Sequence, residues 1–420
     1  MKYRYWVLIL LCIIAVITYL DRVCIAVAGP RMQADLHISP AAWGWVLGIF
    51  VFAYGVFEIP TGSLADRLGP RRVLTRIVLW WSVFTSLTGF ASSLSVLLII
   101  RFLFGVGEAG AWPNFACSIS RWFPPSARAR VIGTVLLSTQ FGGALAPLLV
   151  VPIQTRFGWR ASFYVFGIFG VLWAVVWYRW YRDYPHQMLS VPKSEIDEVG
   201  PRPASSHGPL PWRIAIRSRN LWCYLLQAFA YFYSGFFFLS WLQTFLIKGR
   251  GFAEKQLLLS ALPFLCGICG NLAGGFASDA LVRKLGLRWG RRAAGAGGAT
   301  FAALALTAAI LIAHPYWCLF FLSLTYMGMT FIQPNSFAVS IDIAPRYAGV
   351  ASGAMNTAAQ AGAFSSSIIF GYLVKFSGSY VIPLIPMVLM FLLCAILWLK
   401  IDATEQLIPE AQTGTLKKSC

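Results

Sequence analysis

Four ionisable residues, Asp21, Arg22, Arg101 and Glu108, stand inside stretches that are otherwise apolar or small: "AVITYLDRVCIAVAG" at 15–29 and "RFLFGVGEAGAWPN" at 101–114. An ionisable side chain at bilayer depth costs about 2.5–3.5 kcal/mol on insertion scales, so it faces a partner or an aqueous cavity. On a helix, seven residues bring Glu108 to within about 20° of Arg101 and about 10 Å along the axis. The two share one face but are too far apart for an easy direct bond, which leaves room between them for a solute or water. Gly105, Gly107 and Gly110 keep that face thin enough for a neighbouring helix or a cavity wall. Arg101 stays charged and offers a planar fork of donors matched to a carboxylate; its bland alternative is an interfacial anchor that snorkels toward the headgroups. Asp21 and Arg22 are adjacent, so their side chains diverge by about 100° and do not simply neutralise each other. A buried carboxyl group that no cation holds ionised is a candidate to bind and release protons, and Asp21 and Glu108 are the candidates here.

The elements that must position these residues are membrane helices. The chain has 420 residues, 58% hydrophobic and only 12% charged, where a soluble protein carries about a quarter charged. Apolar runs recur from end to end at the roughly 20-residue length that spans a bilayer. Twelve spans are expected: 6–28, 43–62, 73–92, 94–118, 129–152, 161–181, 219–243, 257–280, 294–313, 315–340, 348–373 and 380–401. The first is read as a helix and not a signal peptide, because no small-residue cleavage site precedes Asp21-Arg22. The fold class is therefore an all-α polytopic membrane protein. Most of the 34 Lys and Arg residues fall on segments that place both termini in the cytoplasm. The net charge of +19 is thus a topology signal, with added attraction to anionic lipid, and calls for no nucleic acid. The nine cysteines lie mostly inside spans. Cys266 and Cys269 read as packing residues, since no partner cysteines or histidines stand nearby to build a metal site. No cofactor and no metal are expected.

The longest hydrophilic break, 182–218, is rich in Pro, Ser and charge and reads as a linker. It divides the chain into an N-terminal six-helix bundle at 1–181, a C-terminal one at 219–401 and a tail at 402–420. The halves are related. Gly62 precedes Asp66 by four in "GSLADRLGPRR" (62–72), and Gly275 precedes Asp279 by four in "GFASDALVRKLG" (275–286). With one gap, 112–140 aligns with 333–360, pairing Pro113-Asn114 with Pro334-Asn335, Pro125 with Pro345, Gly133 with Gly353 and Gln140 with Gln360. On that register Glu108 corresponds to Met329 and Arg101 to Leu322. The scaffold does not need charge at those positions, so the charge in the first half points to coupling chemistry. Parallel six-helix repeats are one way transporters alternate access.

Twelve spans in two halves, the linker and "GSLADRLGPRR" resemble the major facilitator superfamily. "YLDR" at 19–22, "RFLFGVGEAGAWPN" and "SRWFPPSARARVIG" at 120–133 resemble its anion:cation symporter family, which includes sugar-acid permeases for galactonate, glucarate and hexuronates, animal sialin and vesicular glutamate carriers. The resemblance covers nearly the whole chain apart from linker and tail. It implies proton coupling at Asp21 and Glu108 and anion binding at Arg101. It also implies a cytoplasmic gate in which Gly62, Asp66, Arg67, Arg71, Arg72 and Asp279 hold the bundles together when the inside is shut.

The expected activity is proton-coupled symport of a small organic anion, most simply a sugar acid, by alternating access in a bacterial inner membrane. The partners are the anion, protons and the lipid bilayer, and the chain is expected to work as a monomer. Arg22, Tyr54, Gln140, Asn356 and Gln360 are candidates to complete the anion pocket beside Arg101, with Tyr231 and Tyr233 weaker ones. The rival within transport is an organophosphate/phosphate exchanger, which would present an arginine from each half; span 7 offers only Arg217 and Arg219 at its start. A transporter-like sensor lacks a recognisable signalling domain. An enzyme is disfavoured because His37, His186, His207 and His314 all fall in loops or at span edges.

Overall fold

The computed structural model describes residues 2–199 and 215–407. Each of the twelve expected spans is helical over most of its length. The first half holds α1 (Tyr3–Asp35), α2 (Pro40–Leu68), α3 (Pro70–Thr88), α4 (Leu94–Glu108), α5 (Ala111–Trp122), α6 (Pro125–Phe157) and α7 (Trp159–Trp180), followed by the short α8 (Lys193–Val199). The second half holds α9 (Arg219–Gly235), α10 (Leu262–Leu311), α11 (Pro315–Ile343), α12 (Ala348–Ser377) and α13 (Leu384–Lys400). Among the described residues, eight helical segments are long and apolar enough to cross a membrane, and Leu384–Lys400 is a shorter apolar one.

Two expected spans are not single helices. The fourth breaks into α4 and α5, because Pro113 has no N–H to continue the ladder into the preceding turn and Gly110 takes up the non-helical geometry there (φ −89°, ψ 1°). The seventh ends as α9 at Gly235 and continues through two short turns, Phe237–Ser240 and Leu242–Thr244, into a π-helical turn at Phe245–Gly249. In the opposite sense, the eighth and ninth spans run together as α10. They are parted only at Gly286, whose φ of 77° is open to glycine and strained for other residues.

The chain packs as two compact units. Unit 1 is built from Met1–Ala204, Phe237–Leu265 and Ser367–Tyr380, and unit 2 from Ser205–Phe236, Cys266–Ser366 and Val381–Cys420. In unit 1, α1 packs along α6, α3 along α7 and α2 along α4. Small residues allow the close approaches: a Cβ on Gly105 would meet the Phe50 carbonyl oxygen of α2, and one on Gly142 the Val16 backbone of α1. Such contacts hold membrane helices together where water supplies no hydrophobic drive between them. Segments of the second half join this unit. Glu254 accepts a 2.7 Å bond from Arg31 Nη2 of α1 and a 2.9 Å bond from Gln154 Nε2 of α6.

In unit 2, α9 packs along α13, where Ser234 Oγ donates to the Met387 carbonyl at 2.9 Å. A polar knot ties α10 to α11: Ser278 Oγ lies 2.9 Å from Asn335 Oδ1, Asn335 Nδ2 donates to the Arg291 carbonyl and Arg291 Nε to Asp342 Oδ2, both at 2.9 Å. The repeat pairs Asn335 with Asn114, which is likewise fully buried and donates to the Gly110 carbonyl at 2.7 Å.

Candidate functional site

α1 and α4 bring the four intramembrane charges of unit 1 together. Asp21, Arg101 and Glu108 are 4%, 3% and 1% exposed, so none is an interfacial anchor. The Arg101 side chain is sealed within the unit and does not snorkel. Glu108 pairs with Arg22, whose Nε donates to Oε1 at 2.6 Å. Sequence spacing put Glu108 on the same helical face as Arg101 without a direct bond between them; the bonded partner comes from the neighbouring helix.

Aromatic faces complete the surroundings of the cations. The Arg22 guanidinium lies 4.8 Å from the Tyr54 ring centre and 5.5 Å from those of Tyr19 and Phe50. The Arg101 guanidinium lies 4.8 Å from both Phe50 and Phe104. Phe50 thus has both guanidiniums over its ring, whose electron-rich face attracts cations. Tyr19 and Phe50 were not singled out from sequence, although Tyr19 is three residues before Arg22 on the same helical face and Phe50 is one turn before Tyr54.

Several polar atoms of this cluster are buried with no hydrogen-bond partner among the described residues: both carboxylate oxygens of Asp21, Nε of Arg101, Nη2 of Arg22 and Oε2 of Glu108. Leaving such groups unmet is costly, and it concentrates unused donors and acceptors in one place. Asp21, Arg101 and Glu108 act on one another through their charges, so a change in the protonation of one alters the balance for all. With both carboxylates ionised the four residues sum to zero.

The second half keeps the helix contact without the charge. Met329, the counterpart of Glu108, lies over Gly235 of α9, where a Cβ would collide with the methionine side chain. The other anion-pocket candidates divide between the units. Gln140 is buried on α6 in unit 1. Asn356 and Gln360 are half-buried one turn apart on α12 in unit 2, where Tyr231 and Tyr233 are buried on α9.

Of the expected gate residues, the side chains of Gly62 and Asp66 lie outside the described residues. Arg67 and Arg72 are exposed in unit 1, and Asp279 is exposed in unit 2. Arg71 is held within unit 1. Its backbone N–H donates to Asp183 Oδ1 at 2.9 Å, its Nη2 donates to the Tyr178 carbonyl at 2.8 Å, and its guanidinium lies 4.6 Å from the Tyr178 ring centre. Asp183 thereby caps the start of α3.

Comparison with known proteins gives the same architecture. The Major Facilitator Superfamily model matches residues 11–367 and 285–418. The chain is 34% identical to the protein named "Probable sulfoacetate transporter SauU" of Cupriavidus necator, over 91% of this chain and 90% of that one. It is 30% identical to the D-galactonate transporter of Escherichia coli, over 89% of each. Its fold resembles a crystal structure of a bacterial homolog of the human lysosomal transporter Spinster, described as inward-facing and unoccupied, with a TM-score of 0.79. The match covers 96% of this chain and 97% of that one, at 20% identity.

Proposed function

The chain belongs to the major facilitator superfamily, and from that membership we propose that it carries a small organic anion across the membrane together with protons. It is a multi-pass membrane transporter and not an enzyme. The observation that carries the proposal is the buried cluster of Asp21, Arg22, Arg101 and Glu108, neutral as a set, in which Arg22 is committed to Glu108 and Arg101 has Nε unused.

A monoanion entering this cluster finds Arg101 able to donate to a carboxylate in the bidentate manner that guanidinium favours. It also brings the set to a net −1, which is costly to bury. A proton on Asp21, whose two oxygens have no competing partner, restores neutrality. Anion and proton therefore enter and leave the low-dielectric site more cheaply together than apart, and that difference is what couples their fluxes. Once the anion draws on Arg101, Glu108 is the second carboxyl group able to take a proton, by releasing Arg22. Protonation and substrate then bias the same equilibrium between outward- and inward-open forms.

The substrate class is a carboxylate-bearing solute. Relatives named for sulfoacetate and D-galactonate carry a carboxylate on otherwise different molecules, in line with Arg101 as the common anion contact. Tyr54, Gln140, Asn356 and Gln360 are proposed to read the remainder of the solute, sugar-acid hydroxyls above all. We place the transporter in a bacterial inner membrane with both termini cytoplasmic, working as a monomer, and assign the 62–72 segment, where α2 passes into α3, with Asp279 to a cytoplasmic gate.

The deciding experiment is uptake of labelled galactonate, glucarate, hexuronates and sulfoacetate by proteoliposomes with an imposed inward pH gradient. Gradient-driven accumulation of one of these anions is expected, lost as coupling in Glu108→Gln and abolished in Arg101→Ala. Uptake indifferent to pH and to Glu108 overturns the reading in favour of an exchanger.

A further inference from the structure

α3 carries a second feature outside the buried charge cluster, sharing only Arg72 with the proposed gate segment. Its outer face, with Tyr178 of α7 at the side, forms an open groove of about 500 Å³. Arg72 and Arg76 stand at one end of it, one turn apart, and Leu79, Trp80, Val83 and Phe84 continue the same stripe along the helix, as the spacing of three and four residues requires. From Arg72 to Phe84 the stripe runs about 18 Å. Leu79, Trp80 and Val83 are exposed, so the groove opens away from the packed unit.

Its walls are fixed in advance. Tyr178 of α7 is held by Arg71 through both its carbonyl and its ring. The Trp80 indole donates to the Leu103 carbonyl of α4 at 2.8 Å. The two cations are not answered from within, since neither Arg72 nor Arg76 has an acidic partner among the described residues. They also stand in the first two turns of α3, whose own first turn carries no acidic residue; Asp183 answers the backbone N–H of Arg71 there and neither of these two guanidiniums.

We propose that this groove binds one anionic phospholipid, with its phosphate between Arg72 and Arg76 and an acyl chain along the stripe from Leu79 to Phe84. A soluble anion would have no use for the apolar stripe. A second copy docked symmetrically would set arginine against arginine, because neither α3 nor α7 contains Asp or Glu. Paired cations ahead of a lipid-facing apolar run have the charge pattern that attracts anionic headgroups. Occupancy reaches the transport site by one contact. The Trp80 ring lies against Gly107, where a Cβ would collide with it, and Gly107 adjoins Glu108.

The test uses the full-length protein in delipidated detergent micelles. Thermal unfolding and native mass spectrometry are followed with phosphatidylglycerol, phosphatidylcholine or glycerol phosphate, the two lipids having the same acyl chains. One phosphatidylglycerol retained at least tenfold more than phosphatidylcholine, with a higher Tm, is expected. Retention should fall to the phosphatidylcholine level in the Arg72→Gln/Arg76→Gln variant, and Val83→Trp, which fills the groove and keeps the cations, should lower it too. Equal retention of the two lipids, or full retention by the double variant, overturns the proposal. An equal Tm rise with glycerol phosphate assigns the arginines to a soluble anion instead. A lipid-free dimer that Val83→Trp dissociates assigns the groove to a second copy.

Discussion

Arg22 and Glu108, 86 residues apart in the chain, are joined by a 2.6 Å bond from Nε to Oε1 that ties α1 to α4 inside the bundle. With Glu108 only 1% exposed and the Arg22 side chain 12% exposed, the carboxylate has no water to fall back on and the guanidinium little. Removing one partner of such a pair costs about 3–5 kcal/mol, because the other is left buried and uncompensated. Arg22→Gln and Glu108→Gln are each expected to lower the unfolding temperature in detergent strongly, and the double variant by clearly less than their sum. Additivity to within about 0.5 kcal/mol would mean that the two residues do not stabilise one another.

Asp21 differs from Glu108 in having no bonded partner. Asp21→Asn keeps the shape and removes the titration, so solute exchange between equal concentrations should survive while accumulation against a gradient disappears. An inward gradient of one pH unit supports roughly tenfold accumulation for each coupled proton. The variant is expected to bring that ratio to one. A variant that still accumulates would assign the coupled proton elsewhere.

The residues that spacing could pair were legible in the sequence, and the pairing that needs two helices was not. Asp21, Arg22, Arg101 and Glu108 were conspicuous because an apolar setting makes charge expensive. The partner of Glu108 depends on how α1 lies against α4, a tertiary fact that a helical wheel of α4 does not contain. The break between α4 and α5 was also missed, although Pro113 marked it. Pro334, its counterpart, sits inside the unbroken α11, so proline alone does not decide. What differs is Gly110, which faces Ile77 and Thr61 at a distance where a Cβ would crowd both, whereas the aligned residue in the second half is Phe331. The contacts of Glu254 with Arg31 and Gln154 join segments with unrelated local patterns, and no periodicity announces them.

Gly105 sets the spacing of α2 and α4, and with it the distance from Phe50 to Arg101. A Cβ there would lie 2.9 Å from that of Ala53 as well as against the Phe50 carbonyl. Gly105→Ala is therefore expected to lose about 1–3 kcal/mol through overpacking and to weaken substrate binding in parallel. Gly297→Ala is the control. With nothing within 4 Å of its Cβ, it should be neutral or stabilising by up to about 1 kcal/mol through helix propensity. Equal behaviour of the two in thermal unfolding would remove the packing argument.

The start of α1 is capped from the linker side. Glu195 of α8, 2% exposed, accepts from the backbone N–H groups of Tyr3 at 3.1 Å and Arg4 at 2.8 Å. Glu195→Ala should cost about 0.5–2 kcal/mol of local stability, as loss of a helix cap does. It should speed amide exchange in residues 3–7 and leave exchange in α13 unchanged. Glu198 adds a pH dependence. Its hydrogen bonds to the side chains of Lys2 and Arg4 hold its carboxyl below the usual glutamate range. A depressed value means the contribution is complete above the unfolded value of about 4.3 and is lost as pH falls through the folded one. Exchange at residues 3–7, corrected for its intrinsic pH dependence, should therefore rise below about pH 4 in the native chain. Glu198→Gln should flatten that rise, and an unaltered profile would free Glu198 of any part in the cap.

At the far end of α1, Arg31 and Glu254 join the first half of the chain to the turn that precedes α10. Nη2 lies 2.7 Å from Oε2, and Gln154 Nε2 lies 2.9 Å from Oε1. The same end buries Thr244, whose Oγ1 is 3.4 Å from Gln33 Nε2 of α1. If the segment 237–265 parts from α1 during transport, these bonds must break, and their strength sets part of the opening equilibrium. The pair is about one-third exposed on each side, which discounts it to roughly 0.5–1 kcal/mol, or a two- to fivefold change in the open population. Glu254→Gln should raise the rate at which an impermeant maleimide modifies Thr244→Cys by that factor, in a background lacking the exposed Cys269. It should not lower solute affinity, since Glu254 is no part of the proposed pocket. An unchanged labelling rate would show that the segment is held by its apolar packing alone, and a faster rate accompanied by lost stability throughout the chain would mean that the pair supports the fold and not the gate.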